Sequence, residues 1–384
     1  MFTRTINPLK SRSFFLFGAR GAGKSTLMHE IFKEVDHVYL DLLNPEVEER
    51  LSRRPSLLSE QLADRKAGDW VVIDEVQKIP RLLDVVHQLI ELKKLKFGLT
   101  GSSAKKLRHG GANLLAGRAS VYNLYPLTFK EIGMQFNLED ALKWGTLPGL
   151  FEIASAEERE RFLRAYARTY LSEEVWNEQL IRNLDPFRKF LEIAAQENGT
   201  ILNYNKIAVD VGVDHKTIQR YYQILEETLV GLFLEPYHRS VRKSQRKSPK
   251  FYLFDIGVAR ALSRNLTNSV VSQSYGFGRL FEQFIVLELH KANSYLERDF
   301  RFSYFKTSDG AEIDIIIERP GRPLALVEIK STDEIHPRHT ASLVRLREEF
   351  GENEAFLICR EKAPRVVDGV RVLPWQEAYG ELGL

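Results

Sequence analysis

Cysteine is almost missing from this 384-residue sequence: Cys359 stands alone, and a single thiol excludes a disulfide framework. No apolar run is long enough to span a bilayer. No charged-then-apolar leader opens the sequence. These absences set the expectation of a cytoplasmic protein without a membrane partner. One sign of charge does not dominate either. The formal net charge is +3, so contact with nucleic acid has to come from a local patch and not from a global field. Internal repeats, heptad seams and low-complexity tracts are absent as well. What remains is ordinary: 43% hydrophobic and 28% charged residues, with length for two or three domains.

The most informative stretch is FFLFGARGAGKSTLMHEIF, residues 14–32. An apolar strand runs into a glycine loop and then into an apolar-periodic helix. Gly18, Gly23, Lys24 and Ser25 fit G-x-x-x-x-G-K-[ST], with Gly21 between and Thr26 after them. Such a loop turns backbone N–H groups onto phosphates at a helix N-terminus. The pattern gives Lys24 the β- and γ-phosphates of ATP and Ser25 the Mg²⁺.

From residue 13 to 124, short apolar runs alternate with helical patterns, which argues for a parallel sheet wrapped by helices. One run, VVIDE at 71–75, ends in two acids at its carboxyl edge. Ligands bind at that edge in open α/β sheets. Asp74 is expected to hold Mg²⁺ through water, and Glu75 to polarise the attacking water. The competing reading is an acidic start to the next helix. FGLTGSS at 97–103 offers Thr100 or Ser102 to the γ-phosphate or the water, or else simply forms a turn. Arg118, in LLAGR, is either a finger entering a neighbour's site or a solvated or phosphate-binding arginine on its own subunit.

The P-loop, the I-D-E strand, L-T-G-S-S-A, L-L-A-G-R and Y-P-L-T-F together resemble a prokaryotic AAA-type ATPase family. Members of that family carry a C-terminal domain of unknown function with a restriction-endonuclease-like core. The resemblance implies an AAA+/RecA-like fold, Thr100 or Ser102 as the sensor, and Arg118 as a trans-acting finger.

Residues 205–227 read helix, tight turn, helix, with Gly212 permitting the turn and Asp214 placed as N-cap. Lys216, Thr217, Gln219 and Arg220 fall in the first turns of the second helix, where recognition helices meet DNA. Two strand-like runs follow, and between them Arg239, Arg242, Lys243, Arg246, Lys247 and Lys250 stand with no acid among them. This reads as a winged helix-turn-helix whose basic wing tracks phosphate. Packing or protein contact is the alternative use of such a module.

Further on, Asp314 sits between isoleucines on one strand, and V-E-I-K ends the next. Glu328 and Lys330 share a face of their strand, and a hairpin sets Asp314 beside Glu328. Two carboxylates with a lysine suit a divalent cation and a water aimed at a phosphodiester. Glu282, on the preceding helix, offers another ligand. The order resembles the PD-(D/E)xK nuclease superfamily, with Ile313 where the motif has proline. A metal-free Asp314–Lys330 salt bridge is the alternative.

The expected organisation is an ATPase core at 1–130, a helical lid or connector at 131–184, a winged helix at 185–262 and a nuclease-like α/β domain at 263–384. The expected function is that of an ATP-hydrolysing DNA-binding protein. It remodels, translocates on or processes DNA, assembles as a ring or other homo-oligomer, and uses ATP with Mg²⁺, plus Mg²⁺ or Mn²⁺ at the second site. A nucleotide-controlled switch that binds DNA or protein without cutting is the rival.

Overall fold

The computed structural model describes residues 2–102, 115, 117–170, 183–238, 248–272 and 274–384. Its first unit is a five-stranded sheet in the order β2-β3-β4-β1-β5. The strands are β1 (Ser13–Phe17), β2 (His37–Asp41), β3 (Trp70–Asp74), β4 (Lys96–Gly101) and β5 (Ala119–Asn123). Every neighbouring pair is parallel. β1 and β3 are buried along their whole length, as continuous apolar runs covered on both faces should be. The strand that feeds the P-loop and the strand that ends in Asp74 lie on either side of β4, so their carboxyl ends open onto one edge. Phe17 pairs with Gly101 and Ile73 with Leu99.

The middle of the chain is helical. Helices Leu138–Trp144, Ala156–Ala165, Leu184–Gln196, Tyr204–Val211, His215–Glu227 and Ile256–Leu262 follow in order. They share one core: Trp144, Leu147 and Leu163 of the first part pack with Phe187, Phe190, Tyr222 and Val258 of the second. Helix Ile256–Leu262 lies so close to the end of Leu138–Trp144 that a Cβ on Gly257 would sit 1.9 Å from the Trp144 carbonyl oxygen. The expected connector and helix-turn-helix module are thus one packed body.

The turn between helices Tyr204–Val211 and His215–Glu227 is built as the sequence predicts. Gly212 takes a left-handed φ of 86°, and Asp214 caps the second helix by accepting from Thr217 N at 3.0 Å. An antiparallel hairpin follows, β6 (Gly231–Pro236) with β7 (Lys250–Leu253).

The hairpin does not end its own domain. β6 also pairs in parallel with β8 (Arg301–Lys306) through Glu235 and Pro236. The result is one eight-stranded sheet in the order β12-β13-β11-β10-β9-β8-β6-β7. Its remaining strands are β9 (Glu312–Glu318), β10 (Leu324–Ile329), β11 (Asn353–Cys359), β12 (Arg365–Val367) and β13 (Val370–Pro374). A boundary at 262 therefore cuts through a continuous sheet. Helix Pro337–Leu346 makes the crossover between the parallel strands β10 and β11.

The 21-residue helix Tyr275–Tyr295, capped by Ser274, packs on this sheet through Phe281, Phe284 and Ile285. Its far end reaches the ATPase unit. Arg4 donates to Tyr295 Oη at 3.0 Å and to the P-loop carbonyl of Ala22 at 3.2 Å, and it pairs with Glu131 at 3.1 Å.

Candidate nucleotide and carboxylate sites

At the carboxyl edge of the first sheet, Gly21 and Gly23 adopt φ of +76° and +96°, conformations open to glycine without strain. Gly18 is confined differently, since a Cβ there would meet the Leu124 carbonyl oxygen at 2.5 Å. Lys24 is buried and donates to Gly18 O at 2.9 Å. Its ammonium lies 3.7 Å from Glu75. Ser25 is half-buried beside it and Thr26 is exposed.

Asp74 is 2% exposed and Thr100 is wholly buried. The Thr100 hydroxyl donates to Asp74 Oδ1 and accepts from Glu75 N at 2.9 Å. Tyr39 donates to Asp74 Oδ2 at 2.8 Å. Burial and then the Asp74 charge push the Tyr39 hydroxyl above its usual range. Glu75 itself stands at φ 61°, ψ 45°, a left-handed conformation that costs an L-residue about 1–2 kcal/mol. Gln77 bridges Glu75 and Ser102, donating to both. Thr100 thus braces both acids, while Ser102 reaches Glu75 through Gln77.

These residues fit a nucleotide with Mg²⁺. Glycines leave the loop amides approachable, a buried lysine stands at the loop, and a carboxylate is aimed by two hydroxyls. Tyr39 and Gln77 escape a motif search because each lies on a neighbouring element. A polar residue two positions beyond Glu75 was the only signal for Gln77.

Arg118 lies elsewhere. It precedes β5, whose first residue Ala119 pairs with Ser13 at the start of β1, so it stands at the amino edge of the sheet, opposite the P-loop. There its Nε donates to Glu91.

In the second sheet, β9 and β10 pair Val327 with Ile315. The next step of the same register sets Glu328 across from Asp314, as the hairpin reading expects. Asp314 accepts from Ile329 N at 2.7 Å, and Lys330 pairs with Glu328. Burial, then Glu328 and Glu282, hold the Asp314 carboxyl well above its usual range. Burial likewise raises Glu328. Burial opposes the Lys330 charge, but Glu328 and Asp314 outweigh it and keep the ammonium above its ordinary value. Glu328 Oε2 is buried with no hydrogen-bond partner, which is the kind of orphaned acceptor a bound cation satisfies.

Glu282 joins the cluster from the long helix with its own partners. Lys250 pairs with it at 3.2 Å and Tyr252 donates to it at 2.6 Å. Lys250 also pairs with Glu312 at 2.5 Å. Among the described residues no three His, Cys, Asp or Glu side chains gather closely enough to hold a metal ion. The donor set that fits a cation is therefore Asp314 with Glu328, and Glu282 stands one ion pair away. Sequence reasoning missed Lys250, Tyr252 and Glu312 in this cluster. The lysine was visible only as part of a basic run.

Of the expected DNA contacts, Lys216, Gln219 and Arg220 are exposed on helix His215–Glu227, and Thr217 is half-buried with its hydroxyl donating to Asp214 at 2.6 Å. Lys250 is 4% exposed and turned into the carboxylates, so it does not stand on the surface with the other cations. Arg239, Arg242, Lys243, Arg246 and Lys247 lie outside the described residues.

Comparison with known proteins agrees with the N-terminal geometry. Residues 10–133 match a family model described as an AAA domain. Two domains of unknown function match residues 135–269 (DUF8612) and 277–378 (DUF4143). The chain is 28% identical over 321 residues to an uncharacterized protein of Mycobacterium tuberculosis, spanning 83% of this chain and 70% of that one. It is 22% identical to an uncharacterized protein of Methanocaldococcus jannaschii, over 96% and 84% of the two chains. Among solved structures, Thermotoga maritima RuvB aligns at 16% identity and a TM-score of 0.29 over 63% of this chain and 84% of its own. The Aeropyrum pernix Orc1 protein in complex with DNA aligns at 13% and 0.31, over 66% and 87%. Superpositions this loose carry no argument about function. The sheet order, the P-loop and the AAA match together make the N-terminal third an AAA-type P-loop domain. No described helix is long and apolar enough to cross a membrane.

Proposed function

We propose that this protein is an ATP-hydrolysing, DNA-binding machine. Its N-terminal domain drives or switches a helix-turn-helix module and a metal-dependent, nuclease-like sheet. The observation that carries this reading is the linked set Lys24, Asp74, Glu75 and Thr100 at one sheet edge. In this reading the P-loop amides and Lys24 hold the triphosphate, and Ser25 and Asp74 hold Mg²⁺. Bound Mg²⁺ supplies neutralisation of phosphate charge. Glu75, fixed by Thr100 and Gln77, orients the attacking water and takes its proton on Oε1 or Oε2. Lys24 leaves Glu75 for the phosphates as the nucleotide enters.

DNA meets Lys216, Thr217, Gln219 and Arg220 and the basic segment between β6 and β7. Asp314 and Glu328 hold Mg²⁺ or Mn²⁺, and Lys330 faces the phosphodiester. Self-association into a ring is part of the proposal.

The position of Arg118 favours a second reading. There it is already held by Glu91 of its own subunit, and a nucleotide-controlled switch needs no finger. ATP hydrolysis measured with and without single-stranded, duplex and branched DNA separates the two. Strong stimulation by one DNA form supports the motor. Retained DNA binding without stimulation or cutting supports the switch. Lys24→Ala is expected to abolish turnover and leave DNA binding intact; unchanged turnover would remove the P-loop assignment. Cleavage lost in Asp314→Ala would add nuclease activity.

A further inference from the structure

A cavity of about 490 Å³ lies away from both sites, within the size range of small-ligand pockets. It forms where the turn of π-helix Tyr166–Tyr170, continuing helix Ala156–Ala165, meets helix Leu184–Gln196 and the end of helix Ile256–Leu262. Its floor is apolar, with half-buried Ala261 and Leu262 lying over buried Leu191 and Leu266. Its rim carries four guanidinium groups, Arg164, Arg168, Arg188 and Arg264, against one carboxylate, Glu192.

Three of these arginines touch acids. Arg164 meets Glu160 at 2.5 Å, Arg188 meets Asp185 at 3.7 Å, and Arg264 meets Glu192 at 2.8 Å. Arg168 pairs with no acid among the described residues. All three pairs face solvent, where such contacts contribute about 1 kcal/mol or less. A guanidinium carries five N–H donors, and one carboxylate leaves several unused. The acids thus orient the forks without saturating them.

We propose that this cavity binds one nucleotide unit, its phosphate held by the arginine rim and its base laid on the leucine floor. Arginine matches phosphate bidentately and stacks on planar rings, and a base supplies the apolar body the floor requires. A bare anion would leave that floor uncovered. The unit arrives as part of a single strand or as a free nucleotide, since both present the same chemistry. The site is separate from helix His215–Glu227. The turn that walls it also touches the ATPase loop outside the cavity, where Tyr166 donates to Arg20 O at 2.6 Å.

The test is fluorescence anisotropy of labelled dT12 on the full chain without ATP, with unlabelled dTMP as competitor. The double variant Arg188→Ser/Arg264→Ser changes two exposed side chains, so folding is preserved. The control Arg53→Ser/Arg54→Ser removes two exposed cations of the N-terminal unit that are paired with Glu49 and Glu60. The cavity variant is expected to lose tenfold or more in dT12 affinity. Its log–log salt slope should fall by about 0.7, the single-strand value for one phosphate contact. The control should stay within twofold. Competition by dTMP that disappears in the cavity variant identifies the free nucleotide as an occupant; dT12 binding that dTMP does not displace identifies the strand. Wild-type affinity and slope in the cavity variant overturn the proposal. So does an equal loss in the control, or a wild-type chain that binds neither probe. Lys24→Ala plays no part in this assay, so failure of the ATPase reading registers separately.

Discussion

Replacing Thr100 with Val deletes one hydroxyl and keeps the β-branched shape. In the folded protein that hydroxyl is fully buried. It satisfies the Asp74 carboxylate and, from the other side, the Glu75 amide. A hydrogen bond to a charged group contributes about 1.5–3 kcal/mol, and an unpaired buried amide costs about 1–3 kcal/mol. The variant should therefore lose about 3 kcal/mol, a large part of the 5–15 kcal/mol typical of a domain. Tyr39 still holds the other oxygen of Asp74, so the carboxylate is loosened and not released. Glu75 loses the anchor of its left-handed backbone. Turnover should fall by about 100-fold, the lower end of what a positioned general base supplies. Nucleotide affinity, set by loop amides and Lys24, should move little. Urea denaturation followed by tryptophan fluorescence reads the first effect, and steady-state ATP hydrolysis reads the second. Thr100→Ser keeps the hydroxyl and should restore both. A Val variant with wild-type midpoint and wild-type kcat would refute the bracing role.

Three further outcomes are expected. Glu75→Gln keeps the size of the side chain and its link to Gln77 while removing the base; ATP should bind as in wild type, by filter binding, and turnover should drop at least 100-fold. Asp314→Asn should raise thermal stability at pH 7. The folded-state pKa of Asp314 lies above its unfolded value, so its contribution is full below about pH 3.8 and declines as pH rises through the folded value. The gain should be about 2 °C or more near neutrality and should vanish in acid, as calorimetry across pH will read. Lys250→Met should destabilise by about 2–3 kcal/mol, below the value for a fully buried pair, because it leaves the half-buried Glu282 and Glu312 without their shared cation; pairing it with Glu282→Gln should recover part of that loss in urea titrations, and no recovery would place the energy elsewhere.

The ATPase half was legible because its chemistry is contiguous. Seven residues from Gly18 to Lys24 hold the loop, and Asp74 and Glu75 adjoin at the end of one strand. What the sequence hid there is what crosses between strands: Tyr39 on β2 and Gln77 after β3 meet the acids only once the register is set. Asp314 and Glu328 were legible for the same local reason, since a short hairpin fixes their opposition. Lys250 was misread because a run of cations looks uniform on paper. The fold turns this residue inward, because strand β7 begins there and its side chain finds two carboxylates. The place of Arg118 was hidden because a motif says nothing about which end of a sheet a residue caps. The joining of β6 to β8 has no local signal, being a long-range parallel pairing of two residues.

The long helix Tyr275–Tyr295 has a mechanical consequence. Glu282, near one end, belongs to the carboxylate cluster, and Tyr295, at the other, touches the arginine that grips the P-loop. Thirteen residue steps of helix lie from one to the other, about 20 Å of stiff rod. A strut does not stretch. If the loop shifts when phosphate enters or leaves, the rod has to slide, tilt or turn, and its far end carries Glu282 with it against Lys250 and Tyr252. One continuous helix thus joins the two sites, and cutting the chain between residues 133 and 275 would leave each half missing a bearing surface.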